Sequence, residues 1–338
     1  MSRNHPDHDT IRAALTLAVR APSVHNTQPW LWEIGDTTVQ LYADHRRRLP
    51  HADADHRDLL VSCGAALHHL TVAMRVFGWQ SVIHRLPNPA EPSHLASIEF
   101  HAVTATPEDV RLAGAIGKRH SDRRRFTSWE VPAGQIAKVI AAGNGQGVLV
   151  SVVDSPEDHT RLLGAFEQAA AAHAGDRDYG AELAFWSGRH AASYGVPART
   201  AVLATDPTVR PFSAPELAEA VVRDTSDPAP MLLVCTASDD IEARLRAGEA
   251  ASAVLLTATA RGFATCPLSE PLELPEIRER IRTELLGGFG YPQLIIRMGW
   301  AATSADPVPV TPRLALNEVV RPLAEHAPET FSEPGNEQ

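Results

Sequence analysis

Lysine is almost missing from this chain of 338 residues: only Lys118 and Lys138 occur, and arginine carries the remaining positive charge. Alanine and proline are abundant, so this reads as a GC-rich coding bias without functional meaning. Cysteine is equally sparse. Cys63, Cys235 and Cys266 are far apart, odd in number and without CxxC spacing. That pattern excludes a disulfide framework and points to a reducing, cytoplasmic setting. Positive charge is in deficit, with a net charge of −10. Nucleic acid and anionic membranes both require a positive surface, so neither is expected as a partner. The polar start MSRNHPDHDT has no apolar h-region, and no signal peptide is expected. Apolar stretches are broken by His, Arg or Thr and fall short of the roughly 20 residues that span a bilayer. GxxxxGK[ST], HExxH and GxSxG do not occur, and the glycines of 143–147 open no helix after a strand. In His51-Ala-Asp-Ala-Asp-His56, Asp53 reads as the N-cap of a following helix, and no metal site is expected.

What remains is an ordinary globular composition: 44% apolar and 21% charged residues, enough for a substantial core. The length suggests about two domains. Periodicity predicts helices over Asp9–Arg20, Asp53–Gly78, Glu108–Ile116, Pro132–Ala142, Glu157–His173 and Ile241–Gly262. It predicts strands over Trp30–Tyr42, Ala96–Val103, Val148–Val153, Met231–Cys235 and Gln293–Met298. Helices and strands therefore interleave as in an α/β (α+β) protein.

Gly64–Trp79 can be laid on Gly248–Phe263 without a gap. Gly64/Gly248, Ala66/Ala250, Leu70/Val254, Val72/Leu256 and Gly78/Gly262 coincide, and each copy ends in an aromatic residue. Internal duplication explains this, and so would the chance likeness of two alanine-rich helices. The segment 190–227 is long and without periodicity. It reads either as a lid or as plain disorder.

Two strings carry chemistry. In Ala21-Pro-Ser-Val-His-Asn-Thr-Gln-Pro-Trp30, the residues Ser23, Asn26 and Gln28 place donors and acceptors in a short arc, suited to a planar heterocycle. An Asx-type turn would use the same residues. In Lys118-Arg-His-Ser-Asp-Arg-Arg-Arg-Phe126, an extended backbone would point Arg119, Ser121 and Arg123 the same way. Two guanidinium groups and a hydroxyl suit a phosphomonoester. A solvated basic helix end is the other reading.

Both strings resemble elements of the FMN-dependent nitroreductase family. Lys118-Arg-His-Ser121 is similar to its Arg-x-Ser-x-Lys/Arg phosphate element. Pro22-Ser-Val-His-Asn-Thr-Gln-Pro-Trp30 is similar to its Pro-Ser-x-x-Asn-x-Gln-Pro-Trp loop, and that string in particular resembles the Acg-type NAD(P)H nitroreductases of actinobacteria. The resemblance covers nearly the whole chain. In the family both elements lie in one chain, Arg-Ser first, and two chains share two flavins. Here the loop precedes the basic element by about 95 residues, and the expected second loop, Ala141–Gly147, is degenerate.

The resemblance thus implies two fused copies, 1–112 and 113–338, forming an internal pseudo-dimer with one FMN, as a monomer or a homodimer. It implies cofactor contacts from Pro22, Ser23, His25, Asn26, Gln28, Arg119, Ser121 and Arg123. Cys266-Pro-Leu-Ser-Glu270 takes the place of the family's turn beside flavin N5, which adds Pro267, Leu268 and Ser269. Ser269 stands where the family has an acid and Glu270 where it has glycine. Thr311-Pro-Arg313 fits the basic C-terminal element, with Arg313 as a third phosphate ligand or an exposed tail arginine. The implied activity is hydride transfer from NAD(P)H through the flavin to a nitroaromatic or quinone. Storage of FMN under the lid is the alternative. No catalytic acid is evident.

Overall fold

Asp7 accepts a hydrogen bond from the Thr10 amide at 2.9 Å and starts helix α1 (His8–Ala18), which buries Ile11, Ala14, Leu15 and Ala18. The expected single strand from Trp30 to Tyr42 is a hairpin, because Gly35 donates to Thr38 O and reverses the chain. Its arms are β1 (Trp30–Ile34) and β2 (Val39–Ala43). Helix α2 (Arg57–Val76) follows. Its N-cap is His56, in a left-handed conformation, and not Asp53 as expected. The Asp53 carboxylate nonetheless accepts from the amides of Asp58 and Leu59, both at 2.8 Å, and so satisfies the open helix end from outside. Strand β3 (Trp79–Arg85), absent from the periodicity reading, pairs antiparallel with β4 (His94–Ala102). It is half-buried along its length, so no alternation marks it.

Then come α3 (Pro107–Ile116), α4 (Ala133–Asn144), β5 (Leu149–Val153), α5 (Pro156–Ala174) and α6 (Arg177–Phe185). The short strands β6 (Ser187–Arg189) and β7 (Val196–Pro197) lead to β8 (Met231–Thr236), α7 (Ile241–Ala260), β9 (Ala264–Leu268) and α8 (Glu270–Glu273). The chain finishes with α9 (Pro275–Glu284), β10 (Tyr291–Gly299), α10 (Leu316–Val319) and β11 (Val320–Pro322). The computed structural model describes residues 5–203, 206–219 and 229–323. The expected lid therefore lies partly outside the described residues, at 204–205 and 220–227.

Two sheets flank a central helix pair. One has the order β11-β1-β2-β4-β3, the other β5-β8-β10-β9. Setting β11 aside, both run first, second, fourth, third, with antiparallel neighbours throughout. Helices α2 and α7 cross between them at Gly64 and Gly248. A Cβ on Gly64 would stand well under 3.0 Å from Leu245 O, and one on Gly248 equally close to Val61 O. Each helix leaves its crossing through a left-handed glycine, Gly78 and Gly262, both at φ 86°. By length and composition α2 could cross a membrane, contrary to the sequence expectation, but 83% of that window is buried in the interior. It is a core helix, and its apolar surface faces protein.

Candidate functional site

The loop between α1 and β1 is bent into an unusual path. His25, Asn26 and Gln28 all take positive φ (43°, 54° and 55°), a strain of order 1–3 kcal/mol each. Dense internal hydrogen bonding holds it. Ser23 Oγ accepts from the Gln28 amide and Ser62 Oγ from the Val24 amide, both at 3.0 Å. Asn26 Nδ2 donates to Gly195 O at 3.0 Å and Pro312 O at 3.2 Å. Gln28 Nε2 donates to Ser193 O at 2.9 Å, and Gln28 Oε1 accepts from the Leu314 amide at 2.9 Å. Asn26 Nδ2 and the Gln28 side-chain amide, expected to face a heterocycle, are thus spent on clamping the loop to residues 193–195 and 312–314, although Asn26 still lines the smaller of the two cavities described next. Gln28 is fully buried and lines neither cavity described next.

Two adjoining cavities open where this loop meets the basic string, and Pro22, Ser23, Ser121 and Arg123 line both. The larger encloses about 940 Å3 including its open mouth. Asp58, Val61, Ser62 and Ala65 of α2 and Ala251 and Leu255 of α7 line it from the helix pair. His25 and Cys266–Glu270 supply further walls. Thr208, Val209, Arg210 and Phe212, from the segment expected to be a lid, also line it. Pro267 and Leu268 of β9 pair with Ile296 and Ile295 of β10, so this stretch is an edge strand and the turn comes at Ser269.

The smaller cavity is cationic. Arg20, Arg119, Arg123, Arg313 and His120 line it, and among the described residues none of its lining is acidic. The basic string leaves the last turn of α3, where the amides of Lys118 and Arg119 donate to Ala115 O, and is strand-like at Ser121. Ser121 bridges Thr265 of β9, and the Asp122 amide donates to Thr265 O at 2.9 Å. Arg119, Ser121 and Arg123 therefore face the cleft, while Asp122 and Arg124 pair with each other at 2.8 Å. Arg119 is 6% exposed. One nitrogen donates to Arg20 O at 3.3 Å, but Nε and Nη1 are buried without a partner among the described residues. Burial and the nearby Arg20 charge lower its pKa to about 10. Arg313 is no exposed tail residue. It donates to Val19 O, Arg20 O and Ala21 O at 3.0–3.1 Å, satisfying the end of α1. Burial, then Arg119 and Arg20, lower its pKa to about 9. Arg123 donates to Thr200 O at 3.0 Å and lies over the Phe212 ring, 4.8 Å from its centroid.

Sequence reasoning missed Arg20, His120, Asp58, Phe166, Arg210 and Phe212. Arg20 carried a faint signal, since it is the last residue before the Ala21-Pro22 stop of the first helix. Arg210 carried none. It is a buried arginine in an aperiodic segment, tied to Glu273 of α8 and to Tyr179 of α6. Through it the segment is fastened to the cavity wall. Phe212 packs with Leu49, Leu183, Trp186 and Val196.

Fold and cleft define an α/β protein shaped for a ligand that is apolar at one end and anionic at the other. The nitroreductase family model matches residues 116–300. Over 325 residues the chain is 44% identical to "Putative NAD(P)H nitroreductase Rv3131" of Mycobacterium tuberculosis, covering 95% of this chain and 93% of that protein. It is 36% identical over 319 residues to "Putative NAD(P)H nitroreductase acg" of the same organism, covering 92% and 95%. Among solved structures, an FMN-bound nitroreductase from Bacteroides fragilis matches with 15% identity and TM-score 0.40, over 61% of this chain and 96% of its own. The nitroreductase NfnB of Mycobacterium smegmatis, in complex with NADPH, matches with 22% identity and TM-score 0.38, over 63% and 98%. The chain belongs to the nitroreductase family, and its α/β fold is nitroreductase-like.

Proposed function

We propose that this chain is a flavoprotein that holds one FMN in the double cleft and passes electrons from NAD(P)H to a small oxidant, a nitroaromatic or a quinone. One observation carries the proposal: among the described residues, Arg119 has two buried nitrogens without partners, in an arginine-lined cavity with no acidic side chain in its lining. A phosphomonoester supplies the missing charge and acceptors. Arg119, Arg20 and Arg313 would hold the phosphate. Ser23, Ser121 and Arg123, shared by both cavities, would hold the linker, and Pro22, His25, Pro267, Leu268 and Ser269 would flank the ring. The bound flavin supplies hydride chemistry, and the protein supplies position and electrostatics. NAD(P)H as donor is supported by the names of the relatives.

The same reading takes the chain as two fused copies, 1–112 and 113–338. The matching strand orders and the reciprocal glycine crossing support it. The first copy gives the 21–28 loop and α2, the second gives the basic string, α7 and β9, so one site is complete within one chain. The purified protein should release one FMN per polypeptide on denaturation. Two per chain, or FAD, would overturn the reading.

The covering segment favours a second reading, storage of FMN without turnover. Arg210 and Phe212 are both under 10% exposed and line the larger cavity. Anaerobic NAD(P)H separates the two: bleaching of the flavin absorbance supports turnover, and no bleaching supports storage. Shortening the segment should speed both FMN loss and reduction in a variant that keeps its circular dichroism.

A further inference from the structure

Reduction of a quinone or nitro group by hydride also consumes a proton, and the sequence offers no evident acid. The structure supplies a candidate in the larger cavity. Asp58, on the first turn of α2, is 3% exposed and lines that cavity. Arg57 Nη2 lies 2.8 Å from Oδ1, while Oδ2 is buried without a hydrogen-bond partner among the described residues. His25, lining the same cavity, also has both ring nitrogens buried and without partners among the described residues. Two polar side chains with unmet hydrogen-bonding capacity thus meet one apolar cavity. Such groups are costly unless a ligand completes them.

The charges around Asp58 come from every side. Arg57 is its neighbour on α2, Asp53 precedes the helix, Glu273 comes from α8 and Arg210 from the covering segment. Glu270 lines the same cavity. Burial raises the carboxyl to about 8; Arg57 and Arg210 oppose this, and Asp53 and Glu273 add to it. At neutral pH the group therefore holds a proton, and after losing it the carboxylate faces the Arg57 guanidinium.

We propose that Asp58 donates the proton that accompanies hydride to an oxidant in the larger cavity. This rests on the flavoenzyme reading above. The step balances: a quinone takes hydride from the reduced flavin and a proton from the Asp58 carboxyl, becoming the hydroquinone. Oxidised flavin and the Asp58 carboxylate remain, and water reprotonates the carboxylate. His25, neutral because burial and the Arg210 charge depress its pKa, can donate a hydrogen bond to the oxidant's oxygen without competing for the proton.

The test compares two acceptors. Ferricyanide takes electrons without a proton; benzoquinone needs one. In Asp58→Asn the ratio of benzoquinone to ferricyanide rates should fall about 100-fold or more, the usual scale of general-acid catalysis. Asp58→Glu should restore most of it. In the wild type the benzoquinone rate should decline as pH rises through about 8, and in Asp58→Asn that decline should vanish. An unchanged ratio in Asp58→Asn overturns the proposal. Infrared spectroscopy gives a readout apart from turnover: the wild type should show a protonated-carboxyl stretch at pH 6 that titrates away near pH 8 and is missing in Asp58→Asn. If Asp58→Asn fails to fold, the wild-type infrared titration decides alone, and no band titrating there overturns the proposal. Failure of the wild type to bind FMN would sink the flavoenzyme reading instead, and the infrared result would still report on the carboxyl.

Discussion

The two sides of the α2–α7 crossing differ in what fills them. An offset of 184 residues carries Gly64 onto Gly248 and Gly78 onto Gly262. The same offset carries Ala65, a wall of the larger cavity, onto Glu249, and places Arg85 opposite Ser269, another wall. On the first side, alanine and serine leave an open cleft. On the second, Arg85 and Glu249 meet in a bidentate ion pair at 2.8 and 2.6 Å, with Glu249 2% exposed. Ser62, whose hydroxyl receives the Val24 amide, has Arg246 as its counterpart, paired with Glu242 at 2.8 Å. The two sides of the crossing thus differ by a few side chains, which leave a cavity on one and set ion pairs, one of them with a buried carboxylate, on the other. In the fused-copy reading, this ion pair is why one flavin is expected where two identical chains would hold two.

The comparison breaks most violently at its centre. Gly64→Ala and Gly248→Ala each drive a methyl group into a backbone carbonyl of the opposite helix. Each should cost more than about 4 kcal/mol or abolish soluble protein, the scale of severe overpacking. Equal losses in urea unfolding would support equivalence of the halves, and a harmless change at either glycine would refute it.

Arg85→Ala should come next, at about 3–5 kcal/mol, because it leaves Glu249 buried without its cation. FMN affinity should stay within about twofold, since the pair lies outside the cleft. A large drop in affinity would mean that the two sides communicate.

Arg119→Ala addresses the open side. Hydrogen bonds to charged groups contribute about 1.5–3 kcal/mol, so FMN should bind roughly 10- to 150-fold more weakly. Riboflavin, which lacks the phosphate, should be nearly indifferent. Unchanged FMN affinity by fluorescence titration would reduce the cluster to a structural role.

The smallest effect concerns acid. His68 and His69 of α2 share Ser252 of α7, at 2.7 and 2.8 Å. Burial lowers His68 to about 4 and His69 well below the usual value of 6.5. The folded protein disfavours the charged rings, so this contribution is complete above pH 6.5 and is lost as pH falls through 6.5 towards 4. His68 alone should cost roughly 2 kcal/mol between pH 7 and pH 5. His68→Gln should flatten that slope in denaturant unfolding. An identical slope would place the acid sensitivity elsewhere.

Much of this architecture is legible in the sequence because periodic burial and turn chemistry are local. The helices around Leu15, Leu67, Phe166 and Val254 and the apolar strands β8 and β10 fall where periodicity puts them. Strand β3 escaped because it is half-buried along its length. Helices α6 and α9 escaped too, and their surfaces bury only a few residues, Tyr179 and Leu183 in one and Ile277 and Ile281 in the other. At the site, Pro22, Ser23, Arg119, Ser121, Arg123 and Arg313 were legible as two strings and a tail motif. Their convergence on one cleft is a finding of the fold.

By itself the sequence determined the helix–sheet alternation, the family, the basic string and the two matching helices, since each depends on residues close together in the chain. Tertiary structure decided which hydrogen-bonding groups are free. Gln28 looks available in the string, yet a carbonyl and an amide from distant segments consume both ends of its side chain, and Asn26 Nδ2 is spent on two distant carbonyls while the residue still lines the smaller cavity. Asp58 looks like one acidic residue at a helix start, yet burial beside Arg57, Asp53 and Glu273 turns it into a proton-holding carboxyl in a cavity. Hydrogen-bond satisfaction and desolvation depend on neighbours far away in sequence, so only the assembled chain can set them.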